Sequence, residues 1–213
     1  MKPADIEQLS FQIIEREAGA HGFSRDQWTI VRRMIHTSAD FDYIQNVRFH
    51  AQAVSRGVAA IAAGKAIFTD TRMAQAGISP WRLKPFGTAV HCLIGDPAVA
   101  EKARLNNHTR AAAAVEAAAR RMAGGIYVIG NAPTALLKLI ELIQSQQARP
   151  ALVVGLPVGF VNAAESKAAL LASGIVSITN MGRKGGSNVA ASVVNALAQL
   201  ALEARSTQSG DSL

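Results

Sequence analysis

The sequence predicts an α/β fold, a doubly wound sheet of five parallel strands in a single domain. Three observations lead to this prediction. Short, continuous apolar runs recur along the chain, and such runs are typical of strands that are covered on both faces. From residue 51 onwards these runs alternate with helix-like segments, which implies right-handed βαβ units and a parallel sheet. The 213 residues, 49% of them hydrophobic, suffice for one sizeable core.

Two helices precede the alternating part of the chain. Apolar residues recur at helical spacing over residues 6–14, and Gly19 ends that helix. Ser24 and Gln27 have the spacing of a capping box, so a second helix begins after Ser24. It should end near residues 36–38, where small polar and β-branched side chains weaken it. We expect both helices to pack on the sheet as an added N-terminal segment.

The remaining elements follow from apolar runs and from the glycines that separate them. The five predicted strands are residues 66–69, 89–94, 126–129, 152–154 and 175–178. The predicted helices between and after them are residues 51–63, 71–76, a segment into which the turn at residues 95–97 leads, and residues 109–122, 134–146, 163–172 and 187–204. Residues 47–49 are expected to be extended, and the polar residues 206–213 to form a disordered tail.

Composition excludes several classes of protein. The net charge is +7, but the basic residues are scattered and aromatic residues make up only 5%. A nucleic-acid surface would need clustered charge with stacking aromatics, so a small polyanionic substrate fits better. The single Cys92 cannot form an internal disulfide, which suits a reducing cytoplasm. We expect neither a signal peptide nor a transmembrane helix, because no apolar run is long enough.

Three Gly-rich loops, residues 130–134, 155–160 and 180–188, each follow a predicted strand and precede a predicted helix. The carboxyl ends of parallel strands lie at one edge of the sheet, so these loops should converge there. Glycines let backbone N–H groups approach a ligand closely, and helix N-termini favour negative charge. Arg183 and Lys184 add full positive charges. The pattern therefore predicts a site for an anionic ligand at this edge.

A nucleotide is the competing ligand for such a site. The dinucleotide fingerprint is absent after the first strand, and residues 182–187 only partly match a phosphate-binding loop. A phosphate ligand therefore stays open as an alternative. No residues have the spacing of a metal site, and no Gly-x-Ser-x-Gly motif is present.

Among the five histidines, His36 has the surroundings of a catalytic residue. It ends an apolar helix, follows Arg32 and Arg33, and is followed by Asp40 and Asp42. A helix C-terminus and nearby carboxylates both stabilise imidazolium, and imidazole exchanges protons near neutral pH. These properties suit a general acid. A purely structural role for His36 at the helix end is an equal alternative on these grounds alone.

Five segments of the chain, taken together and in order, resemble the precorrin-8X methylmutase (precorrin isomerase) family of cobalamin biosynthesis. The resemblance covers about residues 10–202. The segments that carry it are Arg33-Met34-Ile35-His36-Thr37-Ser38-Ala39-Asp40-Phe41-Asp42-Tyr43, residues 69–78, residues 130–136, residues 155–167, and Gly182-Arg183-Lys184-Gly185-Gly186-Ser187.

The resemblance implies an isomerase that moves a methyl group from C11 to C12 of cobalt-precorrin-8 or precorrin-8X, giving cobyrinate or hydrogenobyrinate. It also implies a flavodoxin-like sheet, a homodimer with active sites at the subunit interface, and no cofactor. Residues 36–43 resemble the anaerobic branch of the family, so we favour cobalt-precorrin-8 as the substrate. A protein of the same fold that binds a pigment without chemistry is the principal alternative.

The resemblance also indicates which residues form the site. It implies that His36 is catalytic and that Ser10, Ser79 and Arg110 contact the substrate, although His108 is inserted within the motif of Arg110. The other predicted substrate-binding residues belong to the segments and loops above or lie near them: Arg33, Asp70, Thr88, Gly130, Asn131, Pro157, Gly159, Phe160, Arg183, Lys184, Gly185 and Gly186.

Overall fold

The computed structural model describes residues 3–210 and has a single six-stranded sheet. Its strands are β1 (Val47–Phe49), β2 (Ile67–Thr69), β3 (Val90–Cys92), β4 (Ile126–Ile129), β5 (Leu152–Gly155) and β6 (Ser177–Asn180). Their spatial order is β1-β6-β5-β4-β2-β3. Strands β2 to β6 pair in parallel, and β1 pairs with β6 antiparallel at one edge. The prediction of a doubly wound α/β domain is confirmed.

Eleven helices surround the sheet within the described residues. They are α1 (Pro3–Ala18), α2 (Arg25–Ser38), α3 (Tyr43–Asn46), α4 (Ala53–Ala62), α5 (Arg72–Gly77), α6 (Pro80–Leu83), α7 (Pro97–Leu105), α8 (Arg110–Ala118), α9 (Pro133–Gln144), α10 (Ala163–Ala172) and α11 (Ser187–Gly210), with a 3₁₀ turn at Lys84–Phe86. None of them is long and apolar enough to cross a membrane.

The sheet differs from the prediction in three places. The strand predicted at residues 89–94 is shorter and spans Val90–Cys92. Residues 47–49, expected only to be extended, form a sixth strand because they pair with the open edge of β6 and bury Val47. The last parallel strand begins at Ser177, two residues later than predicted. The backbone N–H of Ile175 bonds instead to the hydroxyl of Ser173, in a turn that delays entry into the sheet.

Helix ends follow local sequence signals with two exceptions. Ser24 and Gln27 form the predicted capping box at the start of α2, and Gly64 adopts a left-handed conformation just after α4. The helix predicted for residues 109–122 ends earlier, at Ala118. Residues 206–210 of the predicted disordered tail continue α11, and residues 211–213 lie outside the described part of the chain.

The strands are buried on both faces, as their continuous apolar runs predict. Alternate residues of β2, β4 and β5 pack against two separate layers. One layer is built mainly from α2, α4 and α11, and the other from α8, α9 and α10. Because α11 also contacts α5 and α6, it fixes the segments after β2 against the same face. This arrangement leaves the carboxyl edge of the sheet for the loops that follow β2, β4, β5 and β6.

Candidate functional site

The predicted convergence of loops at the carboxyl edge is present in the structure. The hydroxyls of Thr71, after β2, and Ser187, at the start of α11, lie 2.8 Å apart. Gly130, after β4, packs so closely on Ser187 that a Cβ there would lie 2.5 Å from the Cα of Ser187. The N–H of Gly186 donates to the carbonyl of Leu156 at 2.9 Å. Four loops therefore form one continuous surface.

Asp70 organises the loop after β4 from within. Its carboxylate accepts backbone N–H groups from Gly130 at 3.0 Å and from Asn131 and Ala132 at 2.8 Å each. Only 1% of the residue is exposed. Burial raises the pKa of the Asp70 carboxyl above its ordinary value, and the three N–H donors oppose that rise. Both carboxylate oxygens are therefore engaged inside the protein, and the substrate contact assigned to Asp70 stays a prediction.

Thr88 lies away from the other predicted site residues, and its assigned substrate contact stays a prediction. It precedes β3, so it lies at the amino edge of the parallel sheet, opposite the converging loops. Its buried hydroxyl donates to the carbonyl of Ile61 at 3.1 Å. Thr88 thus anchors the segment before β3 to the end of α4 and is separated from the other predicted site residues by the length of the strand.

Lys184 connects the last Gly-rich loop to the segment after α2. Its ammonium lies 2.7 Å from a carboxylate oxygen of Asp40 and 2.6 Å from one of Asp42. Burial would raise the pKa of Asp40, but the hydrogen bond from Lys184 and the N–H of Asp42 lower it overall. The hydrogen bonds that Lys184 donates to both aspartates raise its own pKa. Lys184 is therefore a paired cation, and the end of α2 is held next to the loop.

His36 is exposed in the last turn of α2. It precedes Asp40 and Asp42, the two aspartates that pair with Lys184. Its ring lies 5.2 Å from the ring of Phe11 on α1. Arg33, one turn earlier, is also within 5.2 Å of the Phe11 ring and pairs with Glu7 at 3.0 Å. The helix α1 therefore lies beside the imidazole. Ser10, the next residue to Phe11, donates its hydroxyl to the carbonyl of Ile6 at 2.8 Å.

The free positive charge of the surface comes from arginines. Arg183 is exposed and lies over the ring of Phe160, 5.6 Å from its centroid, where the neighbouring Gly-rich loops meet. Arg110 is exposed at the first turn of α8. The helix start at Arg110 is tied to the loop after β4, because the hydroxyls of Thr109 and Thr134 lie 2.8 Å apart. Arginines at these places can grip carboxylates bidentately.

The backbone amides of the loops are used differently from the prediction. The N–H groups of Gly130 and Asn131 point inward to Asp70, that of Gly159 donates to the carbonyl of Arg183, and that of Gly186 to Leu156. These amides hold the loops to each other. Gly130 and Gly185 are required for close packing on the backbone of a neighbouring loop, whereas Gly159 and Gly182 have open space around them and positive φ angles.

The other predicted residues are distributed around this surface. Ser79 caps α6 without a side-chain bond, and its N–H donates to Asn195 of α11 at 2.8 Å. Pro157 is buried beneath the surface, and Gly185 packs on the carbonyls of Leu156 and Pro157. The substrate contacts assigned to these residues stay predictions.

Sequence reasoning missed two buried residues under the last loop, Lys167 and Asn180. Both are fully buried, and the ammonium of Lys167 donates to the side-chain oxygen of Asn180 at 3.1 Å. The available signal was a single lysine within the Ala- and Leu-rich segment of α10. Among the described residues, no group of three or more His, Cys, Asp and Glu could hold a metal ion.

The sequence of the chain is similar to those of known proteins over nearly its whole length. A sequence model described as precorrin-8X methylmutase matches residues 5–200. The chain is 45% identical over 201 residues to the cobalt-precorrin-8 methylmutase of Priestia megaterium, covering 94% of this chain and 89% of that protein. It is 41% identical to the precorrin-8X methylmutase of Pseudomonas aeruginosa, covering 91% and 93%.

A solved structure agrees with the sequence comparisons. The crystal structure of the precorrin-8X methylmutase from Thermus thermophilus superposes with a TM-score of 0.88 at 47% identity. The match covers 94% of this chain and 97% of that one. Fold and sequence similarity therefore extend over the same, nearly complete length of the chain.

Proposed function

The chain belongs to the precorrin-8X methylmutase family, and from this we propose that it moves a methyl group from C11 to C12 of a corrin precursor. The bond from the methyl carbon to C11 breaks as the bond to C12 forms, so the composition of the substrate is unchanged. The observation that carries the proposal is the convergence of four loops with the end of α2, where Lys184 reaches Asp40 and Asp42.

The chemistry of the substrate fits the charge of this surface. A corrin precursor is a flat, largely apolar ring edged with acetate and propionate carboxylates. Arg183 and Arg110 supply exposed guanidinium groups for the carboxylates, and the exposed ring of Phe160 supplies an apolar face. Binding the ring at this end of the sheet fixes the orientation of C11, C12 and the migrating methyl group, which lowers the entropic part of the barrier.

His36 is proposed to activate the ring. A hydrogen bond or proton from the imidazole to the macrocycle withdraws electrons from the conjugated system near C11 and C12, which favours migration. The exposure of His36 at the end of α2 leaves its ring accessible to a ligand on this surface. The adjacent Phe11 ring limits the directions in which the imidazole can turn. Ser10, next to Phe11 in the chain, and Arg33, whose guanidinium lies 5.2 Å from the Phe11 ring, are proposed to orient the substrate.

The test is His36→Ala, assayed by the change in the absorption spectrum of the tetrapyrrole. We expect turnover to fall by about 10²- to 10⁴-fold, as for loss of a general acid, while the tetrapyrrole still binds. The control is His50→Ala. Because β1 runs antiparallel to β6, His50 lies beside Ser177 at the amino ends of the parallel strands, away from the candidate site. A His36→Ala enzyme with near wild-type turnover removes His36 from the mechanism. Wild-type protein that binds the ligand without any spectral change would indicate a carrier.

Cobalt-precorrin-8 is the proposed form of the substrate. The resemblance of residues 36–43 to the anaerobic branch supports it. The names of relatives do not separate the two forms, because those at 45%, 44% and 43% identity are cobalt-precorrin-8 methylmutases and those at 47% and 41% are precorrin-8X methylmutases. Incubation with cobalt-precorrin-8 and metal-free precorrin-8X in parallel tests it. Faster conversion of the metal-free compound would overturn the proposal. The absence of a cofactor stays a prediction of the resemblance, and the cytoplasmic location stays a prediction from the single cysteine.

A homodimer with the active sites at its interface is proposed for the assembly. Supporting this, Phe160 is 85% exposed and its neighbour Val161 is 78% exposed at the rim of the candidate site. Apolar side chains so placed are covered either by substrate or by a second subunit. Light scattering coupled to size-exclusion chromatography should give twice the monomer mass of 22.4 kDa. A monomer that turns over substrate at the full rate would contradict the proposal.

A further inference from the structure

Lys167 is a buried cation with no carboxylate partner among the described residues. It lies within α10, and none of the residue is exposed to solvent. Its ammonium donates to the side-chain oxygen of Asn180 at 3.1 Å and to the carbonyl of Lys184 at 2.5 Å. Burying an unpaired charge is costly, so a protein seldom retains one without a use for it. Because no part of Lys167 reaches the surface, that use cannot be contact with a ligand.

Asn180 extends this contact into a closed network beneath the loop between β6 and α11. Its amide nitrogen donates to the carbonyl of Met181 at 3.1 Å and to that of Lys184 at 2.9 Å. The carbonyl of Lys184 therefore accepts hydrogen bonds from two buried side chains. The two ends of the turn over residues 181–184 are held together from below.

This network holds the backbone of the loop whose side chains, Arg183 and Lys184, lie at the surface. The carbonyl of Lys184 points inward to Lys167, while its ammonium points outward to Asp40 and Asp42 beside the end of α2. Arg183 is exposed next to it, over Phe160. The contact from Lys167 therefore holds the residue that carries the outward ammonium, and Arg183 directly precedes that residue in the chain.

We propose that Lys167 is the positioning residue of this loop: its buried ammonium holds the Lys184 carbonyl inward, so that Arg183 meets the carboxylates of the substrate. The full charge behind the loop also adds attraction for an anionic ligand. The inference rests on the proposed function for the identity of the ligand. It assigns to Lys167 an effect on affinity that it exerts without touching the substrate.

A consequence is a dependence on pH in a range where few other groups titrate. Burial lowers the pKa of Lys167 to about 8. The charged side chains on neighbouring elements have their own partners: Lys138 pairs with Glu141 on α9, Lys184 with the two aspartates, and Arg183 lies over Phe160. Glu165, on α10 itself, is exposed. Deprotonation near pH 8 removes the charge behind the loop, so the attraction for an anionic ligand should weaken as pH rises. Because the closed loop lowers this pKa, deprotonation does not itself open the loop.

The first experiment uses the wild-type protein without ligand. Backbone amide resonances of Gly185 and Gly186 are followed by NMR from pH 6.5 to 9.5. We expect both to shift with a midpoint near pH 8, whereas amides at the amino edge of the sheet do not. Loop amides that show no transition in this range overturn the inference, whatever the enzyme's substrate proves to be.

The second experiment measures the affinity of cobyrinate, the product expected from cobalt-precorrin-8, for wild type, Lys167→Met and the control Lys65→Met. Lys65→Met removes the same charge from an exposed residue at the amino edge. We expect Lys167→Met to bind about 10- to 100-fold more weakly at pH 7, the range for losing a hydrogen bond from a charged group. Its affinity should then show no transition near pH 8.

The two experiments separate the inference from the proposed function. Wild-type protein that fails to bind cobyrinate while its loop amides titrate near pH 8 would contradict the proposed ligand and leave the role of Lys167 in the loop supported. Wild-type protein that binds cobyrinate equally at pH 7 and pH 9 would overturn the role of Lys167 in affinity. A Lys167→Met protein with unchanged affinity would do the same.

Discussion

Asp70→Asn tests whether the interior of the candidate site is as constrained as its hydrogen bonds indicate. The carboxylate accepts three N–H donors with its two oxygens, one from Gly130 and two from Asn131 and Ala132. An asparagine has one oxygen, so its NH₂ group must face a donor whichever way it turns. Turned to keep the two bonds of one oxygen, it leaves the buried N–H of Gly130 without an acceptor.

The magnitude follows from these contacts. An unsatisfied buried N–H costs about 1–3 kcal/mol, and the two remaining bonds lose the strengthening that a charged acceptor provides. Burying a neutral amide instead of a carboxylate offsets part of this loss. The free energy of unfolding should therefore fall by about 2–3 kcal/mol. In a chain of 213 residues this corresponds to a decrease in Tm of about 4–12 °C.

Thermal and urea unfolding of Asp70→Asn provide the measurement, and Asp96→Asn is the matched control. Asp96 caps α7, accepting one N–H from Ala98 at 2.9 Å, and asparagine is an equally good N-cap. The control should change Tm little. Turnover should fall in Asp70→Asn even at temperatures where it is folded, because the loop after β4 is displaced. Equal stability of the two variants would refute the reasoning.

Two further substitutions test local features of the fold. Gly130→Ala places a Cβ about 2.5 Å from the backbone of Ser187, so we expect a loss of about 1–3 kcal/mol in unfolding free energy and reduced turnover. In Gly22→Ala the new Cβ would have no atom within 4 Å, so this control should be neutral or slightly stabilising in the same urea unfolding measurement. Equal losses of stability in the two variants would contradict the packing argument. Ser24→Ala removes one half of the capping box and should cost about 1 kcal/mol, whereas Ser24→Asp should retain most of it. Identical stabilities of these two variants would show that the cap is not stabilising α2.

Several parts of the fold were determined by residues close together in the sequence. The capping box of Ser24 and Gln27, the helix that starts after Asp96, and the strand at residues 126–129 were predicted correctly, because each depends on contacts within a few residues or on a continuous apolar run. The order of strands and Gly-rich loops also sufficed to predict the edge at which the site lies, since parallel strands end on the same side.

The tertiary structure decided what depends on distant segments. Residues 47–49 become a strand only because the edge of β6 is open to them. Lys184 and Asp40 are 144 positions apart in the sequence, and only the antiparallel placement of β1 beside β6 brings their segments together. The same is true of Asp70, which a motif predicted to be in contact with substrate but which the fold buries under the backbone of residues 130–132. Sequence pattern determined which residues gather at the carboxyl edge. Three-dimensional packing decided which of them face a ligand, because that depends on which donors and acceptors are already satisfied inside the protein.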